Sequence, residues 1–286
     1  MRRALYVQRE VEQISTIKDM TSVFEAIASI HIAQIKDKVM SSTAFFNELW
    51  HIYSQLRLGD NDFVEHRKPK ITNRQALVIV TSDGGLIGDI DERIVEAMLN
   101  HPNHEKADIF VIGSHGAALL NRRGIKPLKV FPLPDADHNI EVTPMTKIIN
   151  QYHSATVYYQ TYISLLRQEV ARIELFSAVA ALGKTKNEKF KEVISSRDYI
   201  FEPSLNEIIT FMETVMLDIA LGQIILESKL AQYASRFNAM NQAKNKAKDM
   251  QHDLTLELNR AKRSQGDERI KEVLGGMKVM ARNKNA

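Results

Sequence analysis

Neither glycine nor proline occurs in residues 1–58 or in residues 223–265. These two residue types are the strongest local breaks in a chain, so both stretches read as single long helices. At about 1.5 Å per residue they extend roughly 87 and 65 Å. A compact chain of 286 residues is only about 50 Å across. The sequence therefore predicts helices that project from a folded body. All seven prolines lie between the two stretches, which gives the order long helix, punctuated middle, long helix.

The apolar spacing predicts what the helices present. In the first, Ile14, Ile17, Thr21, Phe24, Ala28, His31 and Ile35 alternate steps of three and four. In the second, Phe237, Met240, Ala243, Ala247, Met250, Leu254, Leu258 and Ala261 step similarly. Such a stripe is a narrow coiled-coil seam rather than the broad face of a globular surface helix. With one helix at each end of the chain, antiparallel pairing is the simplest topology. The expected segments are a helix over 1–58, an α/β domain over 70–205 and a helix over 206–286.

The middle alternates strand and helix. "ALVIVTS" and "ADIFVIGS" read as buried strands, "DIDERIVEAMLNH" and "HGAALLNRRG" as helices. "PLKVFPL", "ATVYYQTYI" and "EVARIELF" suit a sheet, and "PMTKIINQYH" suits a helix. This alternation predicts a largely parallel, Rossmann-like sheet covered on both faces. The fold class is α/β: an antiparallel coiled coil of the two terminal helices with an inserted Rossmann-like domain.

Composition narrows the function classes. The chain has no cysteine, so it has no disulfide, thiolate nucleophile or thiolate metal site. The basic start "MRRALYVQRE" lacks the apolar core of a signal peptide, and no unbroken apolar run approaches membrane-spanning length. The expectation is attachment to a membrane through partners alone. Residues 229–286 carry 13 Lys/Arg against 6 Asp/Glu, which suits an acidic partner surface. A basic coiled-coil module for nucleic acid is the alternative of another class. It needs base-stacking aromatics, and only Tyr233 and Phe237 lie nearby, so no nucleic-acid partner is expected.

No catalytic constellation emerges. "TSDGGLIG" sits at a strand-to-helix turn, where glycine-rich backbone can cradle phosphate, but its spacing is not G-x-G-x-x-G. "AALGKT" ends like a Walker A loop with Ala178 where the first glycine belongs. "HPNH" and "DADH" are polar connectors without an evident third metal ligand. Ser82 with Asp83 lacks a nucleophile-elbow signal. The expectation is no catalytic, cofactor-binding or metal-binding residues.

The last helix carries a specific resemblance. "ILESKLAQYASRFNAM" and "LTLELNRAKR" are similar, in register and without a gap, to "LLESKxxExxARMxAM" and "LxxxxNxARQ" of the gamma subunit of F-type ATP synthases. Glu227, Ser228, Lys229, Arg236, Ala239, Met240, Asn259 and Ala261 coincide. "YIFEPS", "TSDGGLIG" and "MTSVFEAIA" resemble that family's "Y-x-x-EPS", "TSDRGLCG" and "ITKAMxMVA".

The resemblance implies a central rotor shaft without catalytic residues of its own. It would stand inside a hexamer of alpha- and beta-type subunits, with its foot on a membrane c-ring beside an epsilon-type subunit. Its place would be the cytoplasmic face of the cell membrane, held there peripherally. Candidate rotor–stator contacts are His31, Lys229, Arg236, Met240, Asn259, Arg260, Lys262, Arg263 and Asp267. Expected seam residues are Ile14, Ile17, Phe24, Ile35, Phe237, Ala247, Met250 and Leu254.

Several positions depart from the family pattern. The Arg-Gln of "ARQ" gives Lys262-Arg263, the following Thr gives Asp267, and the Glu of "SKxxE" gives Gln232. Arg, Cys and Gly of the turn give Gly84, Ile87 and Asp89, and a usual Lys gives His31. Gly266 interrupts the last helical pattern, and a basic tail follows Gly275-Gly276. These departures suit a specialised paralogue that drives another process.

Overall fold

The computed structural model describes residues 2–56, 72–134, 140–176, 202 and 205–283. "AALGKT", "DADH" and all of "YIFEPS" but Glu202 lie outside the described residues. Helices α1 (Arg2–Leu56) and α5 (Leu205–Asn283) run 55 and 79 residues. Gly266 does not interrupt α5, which passes through it and through Gly275-Gly276. An interior glycine costs a helix only about 1 kcal/mol relative to alanine. The chain forms two compact units, Ala28–Phe237 and Met1–Ile27 with Asn238–Ala286.

In the first unit, strands β1 (Thr72–Val80), β2 (Asp108–Ile112), β3 (Lys129–Phe131), β4 (Tyr152–Tyr162) and β5 (Gln168–Glu174) form one sheet in the order β3-β2-β1-β4-β5. All neighbours are parallel except β4 and β5. Ala76 to Val80 are wholly buried, as expected for a central strand covered on both faces.

Alternation along β1 assigns the two faces. Leu77 and Ile79 pack with Ile94, Val95 and Met98 of α2 (Ile90–Leu99) and with Leu119 and Leu120 of α3 (Ser114–Arg122). Ala76, Val78 and Val80 pack with Met145 and Ile149 of α4 (Thr143–Ile149) and with Met216, Leu221 and Ile225 of α5. One window of 18 residues within Glu207–Met277 is apolar enough on average to pass for a membrane span. The buried apolar residues of α5 from Met212 to Ile225 belong to this sheet core.

In the second unit the helices run antiparallel. Ala4 and Val7 cluster with Leu258, supported by Val11, Leu254 and Ala261, while Glu25 meets Asn241 and Lys244. The covered line on α1 passes through Ala4, Val7, Val11, Ile14, Lys18, Thr21 and Glu25. On α5 it passes through Met240, Lys244, Ala247, Gln251, Leu254, Leu258 and Ala261.

This corrects the phase of the expected seam. Ile17, Phe24 and Met250 are exposed by 47%, 37% and 44%, and their neighbours Lys18, Glu25 and Gln251 face inward instead. Ile14 and Leu254 are half-buried and Ala247 is buried. Ile35, buried, and Phe237, half-buried, belong to the sheet unit.

Candidate functional site

The turn after β1 fills a helix N-terminus with its own polar groups. A helix leaves its first N–H groups without intrahelical partners. Those of α3 are met from "TSD": Ser114 N–H donates to Asp83 Oδ1 at 2.6 Å, His115 N–H to the Ser82 carbonyl at 3.0 Å, and Gly116 N–H to Thr81 Oγ1 at 3.0 Å. Asp83 Oδ2 also accepts from Leu133 N–H at 2.9 Å. The turn that the sequence offered for phosphate is thus engaged with the N-terminus of α3.

Asp91 ties this turn to the sheet. It is wholly buried, where a carboxylate is costly unless several donors meet it. Its Oδ2 lies 3.1 Å from Ser82 N–H, 2.8 Å from the Ser82 hydroxyl and 2.8 Å from His115 Nδ1. Its Oδ1 accepts from Gln160 Nε2 at 2.7 Å. With that amide oriented by Asp91, Gln160 Oε1 is left as the buried side-chain acceptor without a partner among the described residues. The carboxylate bridges Ser82 and His115, so the histidine does not stand between serine and acid as a hydrolytic triad requires.

Helix α5 lies against the same turn. A cavity of about 150 Å³ is lined by Ser82, Gly84, Lys229, Gln232 and Arg236 among others. Lys229 is buried and donates to the Pro134 carbonyl at 2.8 Å. Tyr233 stacks on His31 of α1 with centroids 4.5 Å apart, and the Arg236 guanidinium lies 5.6 Å from the Tyr233 ring. Glu227 accepts from the Thr161 hydroxyl and from Tyr159. Burial pushes the Glu227 carboxyl above its ordinary range, and burial followed by the Glu227 charge pushes Tyr159 up to about 12.

The helix-pair unit offers two surfaces of another kind. Ile17, Met20, Phe24 and Ile27 form an exposed apolar stripe on α1. On α5, Ile270, Val273, Leu274 and Met277 form a second at helical spacing. The sequence contained the first stripe, but assigning Ile17 and Phe24 to the seam hid it. Their one-residue offset from the line through Lys18 and Glu25 was the available signal.

The nine contact candidates divide by exposure. Asn259, Arg260, Lys262, Arg263 and Asp267 are exposed. His31 and Arg236 are half-buried. Lys229 and Met240 are buried inside the chain, so as placed neither offers a surface to a partner. Elsewhere, His101 and His104 are engaged in their own turn, through Asn103 N–H to His101 Nδ1 at 3.2 Å and His104 Nδ1 to the His101 carbonyl at 3.0 Å.

Comparison with known proteins matches residues 5–280 to the family model described as ATP synthase. The chain belongs to the ATP synthase gamma-chain family. It is 25% identical to the ATP synthase gamma chain of Desulfitobacterium hafniense, over 98% of this chain and all of that one. It is also 25% identical to that of Cytophaga hutchinsonii, over 96% and 97% of the two chains.

Among solved structures, a chain of the Euglena gracilis mitochondrial ATP synthase in rotational state 3 superposes with a TM-score of 0.62 at 12% identity, over 98% of this chain and 96% of that one. A chain from the central stalk and c-ring of the Tetrahymena thermophila mitochondrial ATP synthase gives 0.54 at 18% identity, over 78% and 99%. Within this gamma-chain frame, two departures from the family motifs, Gly84 and Gln232, line one cavity with Arg236. Three others, Lys262, Arg263 and Asp267, lie on the exposed surface of α5.

Proposed function

We propose that this chain is the central-stalk rotor of an ATP synthase-type complex. It couples rotation to ATP synthesis or hydrolysis on a hexamer of alpha- and beta-type subunits and links that hexamer to a membrane c-ring beside an epsilon-type subunit. The observation that carries this reading is the gamma-chain match across both long helices and the sheet between them. The complex is peripheral to the membrane, at its cytoplasmic face, and the chain contributes no catalytic group.

The surfaces suit a shaft that touches a sleeve without being held at one angle. Exposed ion pairs contribute only about 0–1 kcal/mol and weaken with salt, so Arg260, Lys262, Arg263 and Asp267 give shallow contacts. The apolar stripes on α1 and α5 are the stronger elements, since burying one large aliphatic side chain contributes about 1.5–3 kcal/mol. An asymmetric shaft stabilises a different state at each site it faces, so turning it moves a population shift around the hexamer.

The test is reconstitution of the purified chain with its native hexamer, with a probe on the sheet unit. ATP should drive rotation of the probe. ATP turnover by the chain alone, or no binding to the hexamer, overturns the proposal. The motif departures at Gly84, Gln232, Lys262, Arg263 and Asp267 support a second reading, a specialised paralogue driving another process. Recovery of a standard c-ring and epsilon-type subunit with the native complex rejects it, and unusual partners in their place support it.

A further inference from the structure

We infer that the helix pair contains a compliant, salt-sensitive segment, residues 15–27 of α1 against 240–251 of α5, held largely by polar bridges, with Met240 and Ala247 its buried apolar side chains. Three consecutive seam positions on α1 in this segment are polar: Lys18, Thr21 and Glu25. Lys18 Nζ donates to Gln251 Oε1 at 3.0 Å. Glu25 accepts from Asn241 Nδ2 at 2.7 Å and from Lys244 Nζ at 2.5 Å. The Thr21 hydroxyl turns back onto its own helix, donating to the carbonyls of Ile17 and Lys18.

The apolar side chains of the same stretch face the other way. Ile17, Met20, Val23, Phe24 and Ile27 are exposed by 37% to 58%, so α1 is polar inside and apolar outside here. Nearer its start the pattern is the ordinary one, with Ala4, Val7 and Val11 against Leu254, Leu258 and Ala261.

A polar seam position costs a coiled coil stability even when it is paired, and three in succession on α1 leave Met240 and Ala247 of α5 without large apolar partners among them. The attraction that remains is partly ionic. The Lys244 and Glu25 side chains are 34% and 14% exposed, so ions reach the pair. The helix interior should therefore open more readily than the turns nearer its end, the reverse of ordinary terminal fraying. This holds whether or not the chain acts as a rotor.

Amide hydrogen exchange of the full chain, read by peptide at about 10 mM and about 1 M salt, tests the inference, because the screening length falls from about 30 Å to about 3 Å over that range. Amides of residues 15–27 and 240–251 should exchange faster than those of residues 7–14 and 254–261, and about two- to five-fold faster at high salt, the scale of an exposed ion pair. Glu25→Gln, which keeps the shape, should abolish the salt response. Lys18→Leu with Glu25→Leu should slow exchange about ten-fold while circular dichroism still reports full helix. Equal protection along the pair, a salt response retained in Glu25→Gln, or no slowing in the double leucine variant overturns the inference.

Discussion

Gly113 is the position where one methyl group should do most damage to the sheet unit. Its φ is 97° and its ψ 136°, a conformation that L side chains rarely adopt and that costs about 1–3 kcal/mol. A β-carbon there would stand 2.1 Å from the Thr81 carbonyl oxygen, 2.7 Å from its carbon and 2.9 Å from the Ser82 carbonyl oxygen. All three are backbone atoms, so no side-chain rotation relieves the clash.

Moving the backbone apart breaks the connections that hold β1, β2 and α3 together. Thr81 N–H donates to the Ile112 carbonyl at 2.8 Å, Gly113 N–H to Phe131 at 2.9 Å and His115 N–H to Ser82 at 3.0 Å. Losing two of them adds about 1–3 kcal/mol, for a total of roughly 2–6 kcal/mol. With a urea dependence of about 2–3 kcal/mol per molar, Gly113→Ala should lower the unfolding midpoint by about 0.7–3 M. Near-ultraviolet circular dichroism of Tyr152, Tyr158 and Tyr159 on β4 is a suitable signal.

Gly116 is the control. There a β-carbon meets the Thr81 side chain, 2.5 Å from Oγ1 and 2.7 Å from Cγ2. Adding Thr81→Ala should therefore relieve part of the Gly116→Ala penalty, by about 1 kcal/mol of coupling, and should leave the Gly113→Ala penalty intact. A Gly113→Ala chain within about 1 kcal/mol of wild type, or equal relief of both variants by Thr81→Ala, refutes the argument.

Other perturbations follow from the same structure. Asp91→Asn turns an amide N–H₂ toward donors that now meet a carboxylate, and should cost about 2–4 kcal/mol, measured by urea unfolding at neutral pH. Glu227 has a folded pKa above its ordinary 4.5, so the native state holds its proton longer than the unfolded state. Stability should then fall as pH rises from about 4.5 through the folded value, stay lowered above it, and lose that slope in Glu227→Gln. By the same sign Tyr159 should cost stability as pH rises from 10 to about 12, and Tyr159→Phe should flatten that limb. On the rotor reading, Ile17→Asp with Phe24→Asp should weaken binding to the alpha- and beta-type hexamer by about ten-fold or more, measured by co-sedimentation. The unfolding midpoint should hardly change, because both side chains are exposed.

Much of the architecture was legible in the residues themselves. Long stretches without glycine or proline leave the backbone no alternative as cheap as continued helix, and five buried apolar residues from Ala76 to Val80 suit only a strand covered on both sides. Local chemistry of this kind depends on neighbours a few positions away, so it can be read in one dimension. The gamma-chain motifs on α5 were legible for a similar reason, being contiguous.

Tertiary structure alone decided which face of α1 turns inward. Apolar residues at Ile17 and Phe24 and polar ones at Lys18 and Glu25 offer two seams that share Ile14 and Thr21. The choice rests on Asn241, Lys244 and Gln251, more than two hundred positions away. Burial of Lys229 against Pro134, and the capping of α3 by the turn after β1, were hidden for the same cause. Each is a pairing of groups whose separation in the chain says nothing about their separation in space.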